Sequence, residues 1–291
     1  MMEFEGRLEE YRQEVEAFLR SYYGQFHDEP QNILFESMEY SLLAGGKRLR
    51  AACVYEFCRM CAGDWKKASP LAAAVEMIHT YSLIHDDLPC MDNDDYRRGI
   101  LTNHKVYGEA MATLAGDALL TDAFTVASKA EMPAENILQA IQVLSECAGS
   151  LGMVGGQVLD IQSENRQLTE AEVLNIQSRK TGALIRAACA MGAIAGGANE
   201  QRFEAACQFA SCFGLAFQIR DDMLDIIGTA QELGKNVGTD AAKNTFVRLY
   251  GLERCAQLVD LYSRKAIEAL ESFDEALFLR ELVVKMIGRM K

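Results

Sequence analysis

Prolines are scarce in this chain, and their positions limit what it can fold into. The 291 residues contain only four prolines and none follows Pro133, so the second half can form long, uninterrupted helices. Ser69 and Pro70 are typical of a helix start, with an N-cap serine before a proline at the first helical position. Thr169 and Glu172 have the spacing of a capping box, which predicts a further helix start.

Apolar residues recur at helical spacing rather than strand spacing. Leu71, Val75 and Ile78 are three or four residues apart, and alternating runs of β-branched residues are scarce. Two stretches, 180–198 and 205–227, are nearly apolar all round, as expected of helices inside a bundle. The pattern predicts ten helices, at about residues 3–22, 31–43, 47–61, 70–88, 107–130, 134–150, 169–197, 200–228, 251–271 and 275–290.

The composition is that of a globular protein, and the chain is acidic. Hydrophobic residues make up 49%, which separates it from disordered chains. Since no linker-like, low-complexity or repeated segment occurs, we predict one all-α domain over residues 1–291, a large helical bundle with a central cavity. The net charge of −13, with no Lys/Arg-rich run, argues against nucleic-acid binding. Anions can still bind through converging cations, or through divalent metals held by carboxylates.

Cysteine usage and hydropathy indicate where the protein functions. The nine cysteines show no disulfide-framework spacing, and the acidic N-terminus has no apolar run typical of a signal peptide. The longest uncharged apolar stretch, 187–198, is too short to span a bilayer. Cys58 and Cys61 lie within a helical pattern, which favours buried thiols over a metal site. We therefore expect a cytoplasmic protein with reduced thiols and no stable membrane insertion.

The densest cluster of charge is a run of aspartates after an apolar helix. Five aspartates lie within the ten residues that begin at Asp86, and paired arginines follow at once. Like charges at this density repel, whereas Mg²⁺ prefers such hard oxygen ligands. Because Pro89 breaks the preceding helix, the chain can fold back and bring Asp92 towards Asp86. A solvated charged loop is the alternative interpretation.

A second aspartate cluster lies within a strongly apolar stretch. Asp221 and Asp225 are four residues apart and so share one face of a helix. Burying unpaired carboxylates there would be costly, and metal ligation removes that cost. We expect the two clusters to face each other across a cavity and to bind a diphosphate through Mg²⁺.

A glycine pair precedes a group of cations. Gly45 and Gly46 are predicted to open a helix whose first turn carries Lys47, Arg48 and Arg50. Cations there oppose the helix dipole, and an anion bound to the helix N-terminus would remove that penalty. A basic surface turn is the alternative.

Other polar residues lie near the two clusters. Lys180 lies in an apolar helix and must either extend to solvent or meet a partner in the cavity. Lys235 lies in a glycine-bearing loop after the second cluster, which could close over a ligand. His79 lies two turns before Asp86, so a phosphate-contacting role competes with that of a core histidine.

Taken in order along nearly the whole chain, these motifs resemble the trans-type isoprenyl diphosphate synthases, in particular the short-chain, bacterial farnesyl diphosphate synthase kind. The resemblance rests on GGKRLR at 45–50, EMIHTYSLIHDDLPCMDNDDYRRG at 76–99, LAGDALL at 114–120, GGQ at 155–157, KTG at 180–182, FQIRDDMLD at 217–225 and GK at 234–235.

The resemblance implies a head-to-tail condensation of isopentenyl diphosphate with dimethylallyl and then geranyl diphosphate, giving farnesyl diphosphate. It implies a homodimer and about three Mg²⁺ ions, with water and phosphate oxygens completing each metal shell. The metal ligands that it implies are Asp86, Asp92, Asp221 and Asp225. Those for the allylic diphosphate are Arg97, Lys180 and Lys235. Those for isopentenyl diphosphate are Gly46, Lys47, Arg50, His79 and Arg98. The residues that it implies beside the reacting carbons are Thr181 and Gln218. Together with Lys180 they are the implied catalytic residues.

Product length depends on the helix before the first aspartate cluster. A growing tail would run down this helix, where one turn covers about 5.4 Å. Tyr81, with Ser82 beside it, lies about one turn below Asp86 and can form the floor of the pocket. In the resembled family an aromatic residue here marks a farnesyl product, so we favour farnesyl over geranylgeranyl diphosphate. The insertion of Pro89 and Cys90 also occurs in geranylgeranyl-type relatives and does not separate the two.

The sequence departs from the family pattern in three places. Asn93 replaces a frequent aspartate, and Arg220 lies where a neutral or acidic residue often precedes the second motif. The stretch 240–246 is shorter than usual, so Lys243 is left out of the predicted site.

Three rival functions remain. A terpene cyclase needs no second diphosphate site, so GGKRLR, His79 and Arg98 argue against it. A silent regulatory subunit tends to lose an aspartate motif, and both motifs stand here. A purely structural bundle gives no reason for Asp221, Asp225 and Lys180 on apolar helices.

Overall fold

The computed structural model describes residues 2–163, 166–227 and 246–287, and helices dominate these ranges. The all-α prediction is therefore confirmed. Contacts divide the chain into two compact units. Unit 1 is Met1–Tyr55 with Asp64–Ile141, and unit 2 is Glu56–Gly63 with Gln142–Lys291. A single domain over 1–291 stays a prediction.

Unit 1 is a group of helices with one short hairpin. Its helices are α1 (Met2–Gly24), α2 (Asn32–Leu42), the start of α3 (Leu49–Met60), α4 (Ser69–Asp86), α5 (Asn103–Tyr107), α6 (Glu109–Ala127) and the start of α7 (Ala134–Ala148). The hairpin pairs β1 (Tyr96–Arg97) with β2 (Ile100–Leu101) in antiparallel register. Helix α4 packs against α6, α1 and α2 and is buried along most of its length, so it forms the core of this unit.

The start of α4 differs from the predicted cap. The helix begins at Ser69 with Pro70 in its first turn, and the residue at the N-cap position is Ala68. The Ser69 hydroxyl instead donates to the Lys66 carbonyl at 2.7 Å and to Glu14 at 3.1 Å. Proline still marks the helix start because its missing N–H is not needed there.

Unit 2 carries the remaining helices. They are the ends of α3 and α7, then α8 (Met153–Gln162), α9 (Glu170–Gln177), a π-helical turn (Ser178–Gly182), α10 (Ala183–Ala195), α11 (Glu200–Ile227), α12 (Phe246–Ala269) and α13 (Leu277–Ile287). Helix α11 packs against α10 and α12 and buries Phe209 and Phe213. The predicted capping box is confirmed, because the Thr169 and Glu172 side chains each bond the other's backbone N–H.

Several elements differ from the predicted pattern. Residues 153–162 form α8, a helix that the predicted pattern does not contain. The predicted helix 169–197 contains the π-helical turn between α9 and α10. The predicted start at residue 47 is two residues early, because α3 begins at Leu49.

Two stretches are long and apolar enough to cross a membrane by length and composition, Glu109–Ala127 and Ala134–Gln162. The first is α6, which packs against α4, and the second contains α7, a turn and α8. Length and composition alone are weak evidence, since core helices pass the same criterion. The expected lack of membrane insertion therefore stays a prediction.

Candidate functional site

The first aspartate motif folds back at the end of α4. The Asp92 N–H donates to the Asp86 carbonyl at 2.8 Å, and the Asn93 N–H donates to the Leu88 carbonyl at 3.2 Å. The predicted return of Asp92 towards Asp86 is thus confirmed. Asn93 adopts a positive φ of 53°, which asparagine tolerates better than most residues. This geometry explains an asparagine at a position where the family often has aspartate.

The second aspartate of this motif, Asp87, is turned inward and paired. The Arg97 Nε donates to its two carboxylate oxygens at 2.7 and 2.9 Å, and Arg97 also lies 3.5 Å from Asp94. Burial raises the pKa of the Asp87 carboxyl, and Arg97 only partly offsets that rise. Arg97, expected on the allylic diphosphate, is therefore held in place by a carboxylate of the motif itself.

The glycine pair brings Arg98 against the chain before α3. Gly45 and Gly46 have φ of 85° and 126°, and the Arg98 guanidinium donates to the Gly45 carbonyl. A Cβ on Gly46 would lie 3.1 Å from the Arg98 Cζ. Gly46 and Arg98, predicted to bind the same substrate, are thus adjacent, and the positive φ of Gly46 favours glycine at this position.

The expected cluster of cations in the first turn of α3 is wrong. Lys47 and Arg48 precede the helix, and Arg48 has a φ of 49° that turns its side chain inward. The buried Arg48 guanidinium bonds Glu76 at 3.2 Å and Glu16 at 3.3 Å. Glu76 also accepts the Ala51 N–H at 3.1 Å. An anion does lie at this helix end as the dipole requires, but it is a carboxylate of the protein.

A signal for this arrangement was present in the sequence. Glu76 lies in the middle of an apolar run on α4, where an unpaired carboxylate would be costly. Sequence reasoning assigned no partner to Glu76 and so missed the pair with Arg48.

Arg50 and His79 form the part of unit 1 best suited to an anion. The Arg50 Nε is buried and has no hydrogen-bond partner in the described part of the chain. Burial, followed by the charges of Arg50, Arg98, Arg48 and Arg97, holds the pKa of His79 far below its usual range. A neutral imidazole therefore lies among guanidinium groups. Such a group of donors, one of them unused, fits a multiply charged anion.

The predicted chain-length residues lie on α4 as expected. Tyr81 is buried, and its ring meets His85 edge to face at 5.7 Å between centroids. Burial raises the pKa of Tyr81 to about 12, with a smaller contribution from Asp86. The Ser82 hydroxyl donates to the His79 carbonyl at 2.9 Å.

In unit 2 the predicted catalytic residues surround the π-helical turn. The Lys180 Nζ donates to Asp160 Oδ2 at 2.6 Å, and the Thr181 hydroxyl donates to Gln218 Oε1 at 3.1 Å. Thr181 and Gln218, both expected at the reacting carbons, are thus brought together. Single π-turns occur frequently at functional sites, and no sequence signal distinguished this one from an α-helix.

The second aspartate motif lies near the end of α11. Asp222 is 6% exposed and accepts from the Gln218 amide at 3.0 Å and from the Phe246 N–H at 3.0 Å. Asp221 and Asp225 are one turn apart on this helix, and the Asp225 side chain lies outside the described part of the structure. Lys235 and Lys243 also lie outside the described residues.

The first motif fits a magnesium ion. Within the described ranges no three His, Cys, Asp or Glu side chains form a ready metal-ligand group. Mg²⁺ needs no such group, because it is usually bound through one or two carboxylates plus water and substrate phosphates. The backbone turn that returns Asp92 towards Asp86 carries two residues whose carboxylates would hold such an ion.

The chain is similar to known proteins over most of its length. A family model described as polyprenyl synthetase matches residues 31–277. The chain is 47% identical over 246 residues to a chloroplastic geranylgeranyl pyrophosphate synthase of Catharanthus roseus, covering 83% of this chain and 69% of that protein. It is 48% identical over 238 residues to the farnesyl diphosphate synthase of Bacillus subtilis, covering 80% of each. Its structure matches the apo crystal structure of an FPP/GFPP synthase from Zymomonas mobilis with a TM-score of 0.89, at 35% identity over 98% of this chain and 99% of that one.

Proposed function

Because the chain belongs to the polyprenyl synthetase family, we propose that it condenses isopentenyl diphosphate with dimethylallyl and then geranyl diphosphate to make farnesyl diphosphate. The observation that carries this proposal is the unused, buried Nε of Arg50 beside neutral His79. A condensation of two diphosphates requires an anion site besides the metal-binding carboxylates. A terpene cyclase would have no use for it.

The proposed reaction proceeds by ionisation. The bond between the allylic carbon and oxygen breaks, and its electron pair leaves with the diphosphate. The double bond of isopentenyl diphosphate attacks the resulting carbocation, and the departing diphosphate accepts the proton that is then lost. Mg²⁺, when bound, supplies charge that neutralises the leaving diphosphate.

We assign roles to the residues as follows. The ligands that would hold Mg²⁺ are Asp86, Asp92, Asp221 and Asp225. The groups for the allylic diphosphate are Arg97, Lys180 and Lys235. The groups for isopentenyl diphosphate are Gly46, Lys47, Arg50, His79 and Arg98. Thr181 and Gln218 present fixed dipoles to the developing cation, and their mutual hydrogen bond supports that placement.

Product length is the finer part of this proposal. The buried ring of Tyr81, about one turn before Asp86, supports a farnesyl product. Geranylgeranyl diphosphate is the second candidate, because the plant relative named above makes a product of that name.

Sizing the products tests the proposal. The isolated protein, incubated with Mg²⁺, dimethylallyl and isopentenyl diphosphates, should yield mainly farnesyl diphosphate. A dominant geranylgeranyl product would establish the second candidate, and a product without diphosphate would indicate a cyclase. No Mg²⁺-dependent turnover would indicate a silent regulatory subunit.

A substitution at Tyr81 tests the chain-length assignment. Tyr81→Ala should lengthen the product, because it removes the ring that closes the pocket. Tyr262→Ala, which removes a ring from α12 in unit 2, should leave the product unchanged. An unchanged product from Tyr81→Ala would remove this residue from the mechanism.

We further propose that the enzyme acts as a homodimer in the cytoplasm. Leu114 on α6 and Leu138 on α7 are 53% and 67% exposed, which supports an apolar surface that a second copy could cover. The nine cysteines all lie in the described part of the chain and form no disulfide there, which supports a reducing compartment. Sedimentation should give a dimer that Leu138→Glu weakens, and cell fractionation should place the enzyme in the soluble fraction.

A further inference from the structure

The roles assigned above do not include the GGQ motif at 155–157. Its contacts indicate what it does. Gly156 lies in the first turn of α8, where the helix touches the π-helical turn of the same unit. A Cβ on Gly156 would lie 2.7 Å from the Lys180 Cα and closer still to its backbone nitrogen. Real Cβ atoms do not approach backbone this closely, so only glycine lets the two backbones meet here.

Asp160 lies one turn after Gly156 and therefore on the same face of α8. Its carboxylate accepts a hydrogen bond from the Lys180 Nζ at 2.6 Å, and the two side chains are 25% and 26% exposed. The face of α8 that touches the backbone of Lys180 thus also holds the end of its side chain. Both contacts act on one residue.

A lysine needs such support if it is to act at a defined point. Its ammonium is a point charge on a flexible stem, so its position is set by whatever holds it. The π-helical turn adds a second constraint, because it carries Thr181 next to Lys180, and Thr181 is bonded to Gln218. The three contacts together fix the Lys180 ammonium relative to the Thr181 hydroxyl.

We propose that Gly156 and Asp160 are positioning residues that orient the Lys180 ammonium for the departing diphosphate. This inference rests on the proposed function, since it takes Lys180 to meet that diphosphate. Asp160 acts through Lys180 and does not itself touch substrate. Its own charge repels a diphosphate, so its contribution is to orientation and not to substrate affinity.

If Asp160 positions Lys180, its substitution should lower kcat and leave KM nearly unchanged. Displacing a positioned group by about 1 Å can cost about 100-fold in rate. Asp160→Asn keeps the shape of the side chain but weakens its hold on Lys180. We expect kcat to fall about 10- to 100-fold, while the KM for the allylic diphosphate stays within about threefold of the wild-type value. An ion pair exposed to this degree contributes little to stability, so the melting temperature should change little.

A double-mutant cycle separates positioning from a general structural effect. Lys180→Gln should lower kcat by itself, and adding Asp160→Asn to it should cost almost nothing more, because the residue to be positioned is gone. Asp160→Glu should be more active than Asp160→Asn, since it restores the negative charge on a side chain that is one methylene longer. Gly156→Ala should reproduce the loss of kcat in the fraction that folds.

Asp274→Asn is the matched control. It makes the same substitution in an exposed ion pair of unit 2, in which Arg202 lies 3.3 Å from Asp274. Its kcat and KM values should equal those of the wild type.

The inference would be overturned if Asp160→Asn kept kcat within twofold of the wild-type value, or if its effect were fully additive with that of Lys180→Gln. Failure of the proposed function gives a different result, because the wild-type enzyme itself would then show no Mg²⁺-dependent prenyl transfer.

Discussion

The two aspartate motifs present their carboxylates in different ways. The first lies where α4 ends, and the chain beyond Pro89 returns so that Asp92 bonds the backbone of Asp86. The second lies inside the regular helix α11, where the four-residue spacing alone places Asp221 and Asp225 on one face. A hydrogen-bonded turn thus carries the first motif, and a regular helix carries the second.

Each motif uses one of its paired aspartates structurally. Asp87 holds Arg97, and Asp222 holds Gln218 together with the N–H of Phe246, the residue that begins α12. The comparison shows that one of two adjacent aspartates in each motif secures surrounding residues. We propose a division of roles in which its neighbour, Asp86 or Asp221, holds the metal. Three experiments test this division and a fourth compares the two units, from the largest expected effect to the smallest.

Removing the ligand-facing aspartates should have the largest effect. Asp86→Ala and Asp221→Ala should each lower kcat by at least about 10³-fold, since several kcal/mol of charge stabilisation depend on metal binding. Steady-state kinetics over a Mg²⁺ titration measures this loss. Asp95→Ala is the control, because Asp95 is exposed and pairs with Lys105 at 2.7 Å, and it should change kcat only slightly. More than a tenth of the activity in either alanine variant would break the proposed division.

Ligand-induced stabilisation should distinguish the two motifs from each other. Mg²⁺ and inorganic diphosphate together should stabilise the wild type by about 2.7 kcal/mol at 100 times the dissociation constant, and neither alone should do as much. Asp86→Ala should remove most of this stabilisation, because it removes a proposed metal ligand from the turn. Asp221→Ala should retain the larger part. Thermal melting measures both, and equal shifts from either ligand alone would contradict a joint site.

Removing the structural partner in the second motif should affect stability. Asp222→Ala should lower the free energy of unfolding by about 1–3 kcal/mol, because it leaves the buried Phe246 N–H and the Gln218 amide without their acceptor. Urea unfolding measures the change, with Asp274→Ala, at an exposed position of unit 2, as the control beside it. Equal destabilisation by the two substitutions would show that Asp222 has no such structural role.

We expect the smallest effect in the pH dependence of the free energy of unfolding, and we assign it to His79 in unit 1. Because the pKa of His79 is lowered in the folded state, the unfolded chain binds more protons once the pH falls below about 6.5. Stability is therefore lost as the pH falls, by at most about 1.4 kcal/mol per pH unit from this group. His79→Gln should remove this dependence.

The pH experiment has its control at an exposed position of unit 2. Asp274→Asn should keep the dependence seen in the wild type, because the Asp274 side chain is 95% exposed. The raised pKa of Asp87 acts in the opposite direction at more acidic pH, and it cancels in the comparison of wild type with His79→Gln. An unchanged pH profile in His79→Gln would assign the loss of stability to other groups.

The helices and the main motif geometry could be predicted from the sequence because they follow local rules. Proline positions located the start of α4, the Thr169 and Glu172 spacing located the start of α9, and Pro89 predicted the return of Asp92. Each of these is decided within a few residues of chain.

Features that depend on distant partners could not be predicted in this way. Arg48 turns inward because Glu76, on another helix, needs a cation, so its position depends on tertiary packing. The π-helical turn has the same apolar spacing as an α-helix, and its contact with Gly156 is visible only once α8 is placed against it. The close packing that requires Gly156 involves Lys180, 24 residues further along the chain, so local sequence gives no reason for this glycine.

The carboxylate of Glu76 at the start of α3 also bears on inhibitor design. It takes the Ala51 N–H that would otherwise be open to an anionic compound. A competitor for the proposed isopentenyl site therefore has to be built for side-chain donors, the guanidinium of Arg50 and the imidazole of His79, and not for a helix terminus. Carboxylates, which are flat and can accept two parallel hydrogen bonds, match the Arg50 guanidinium, whose Nε–H has no partner in the described part of the chain.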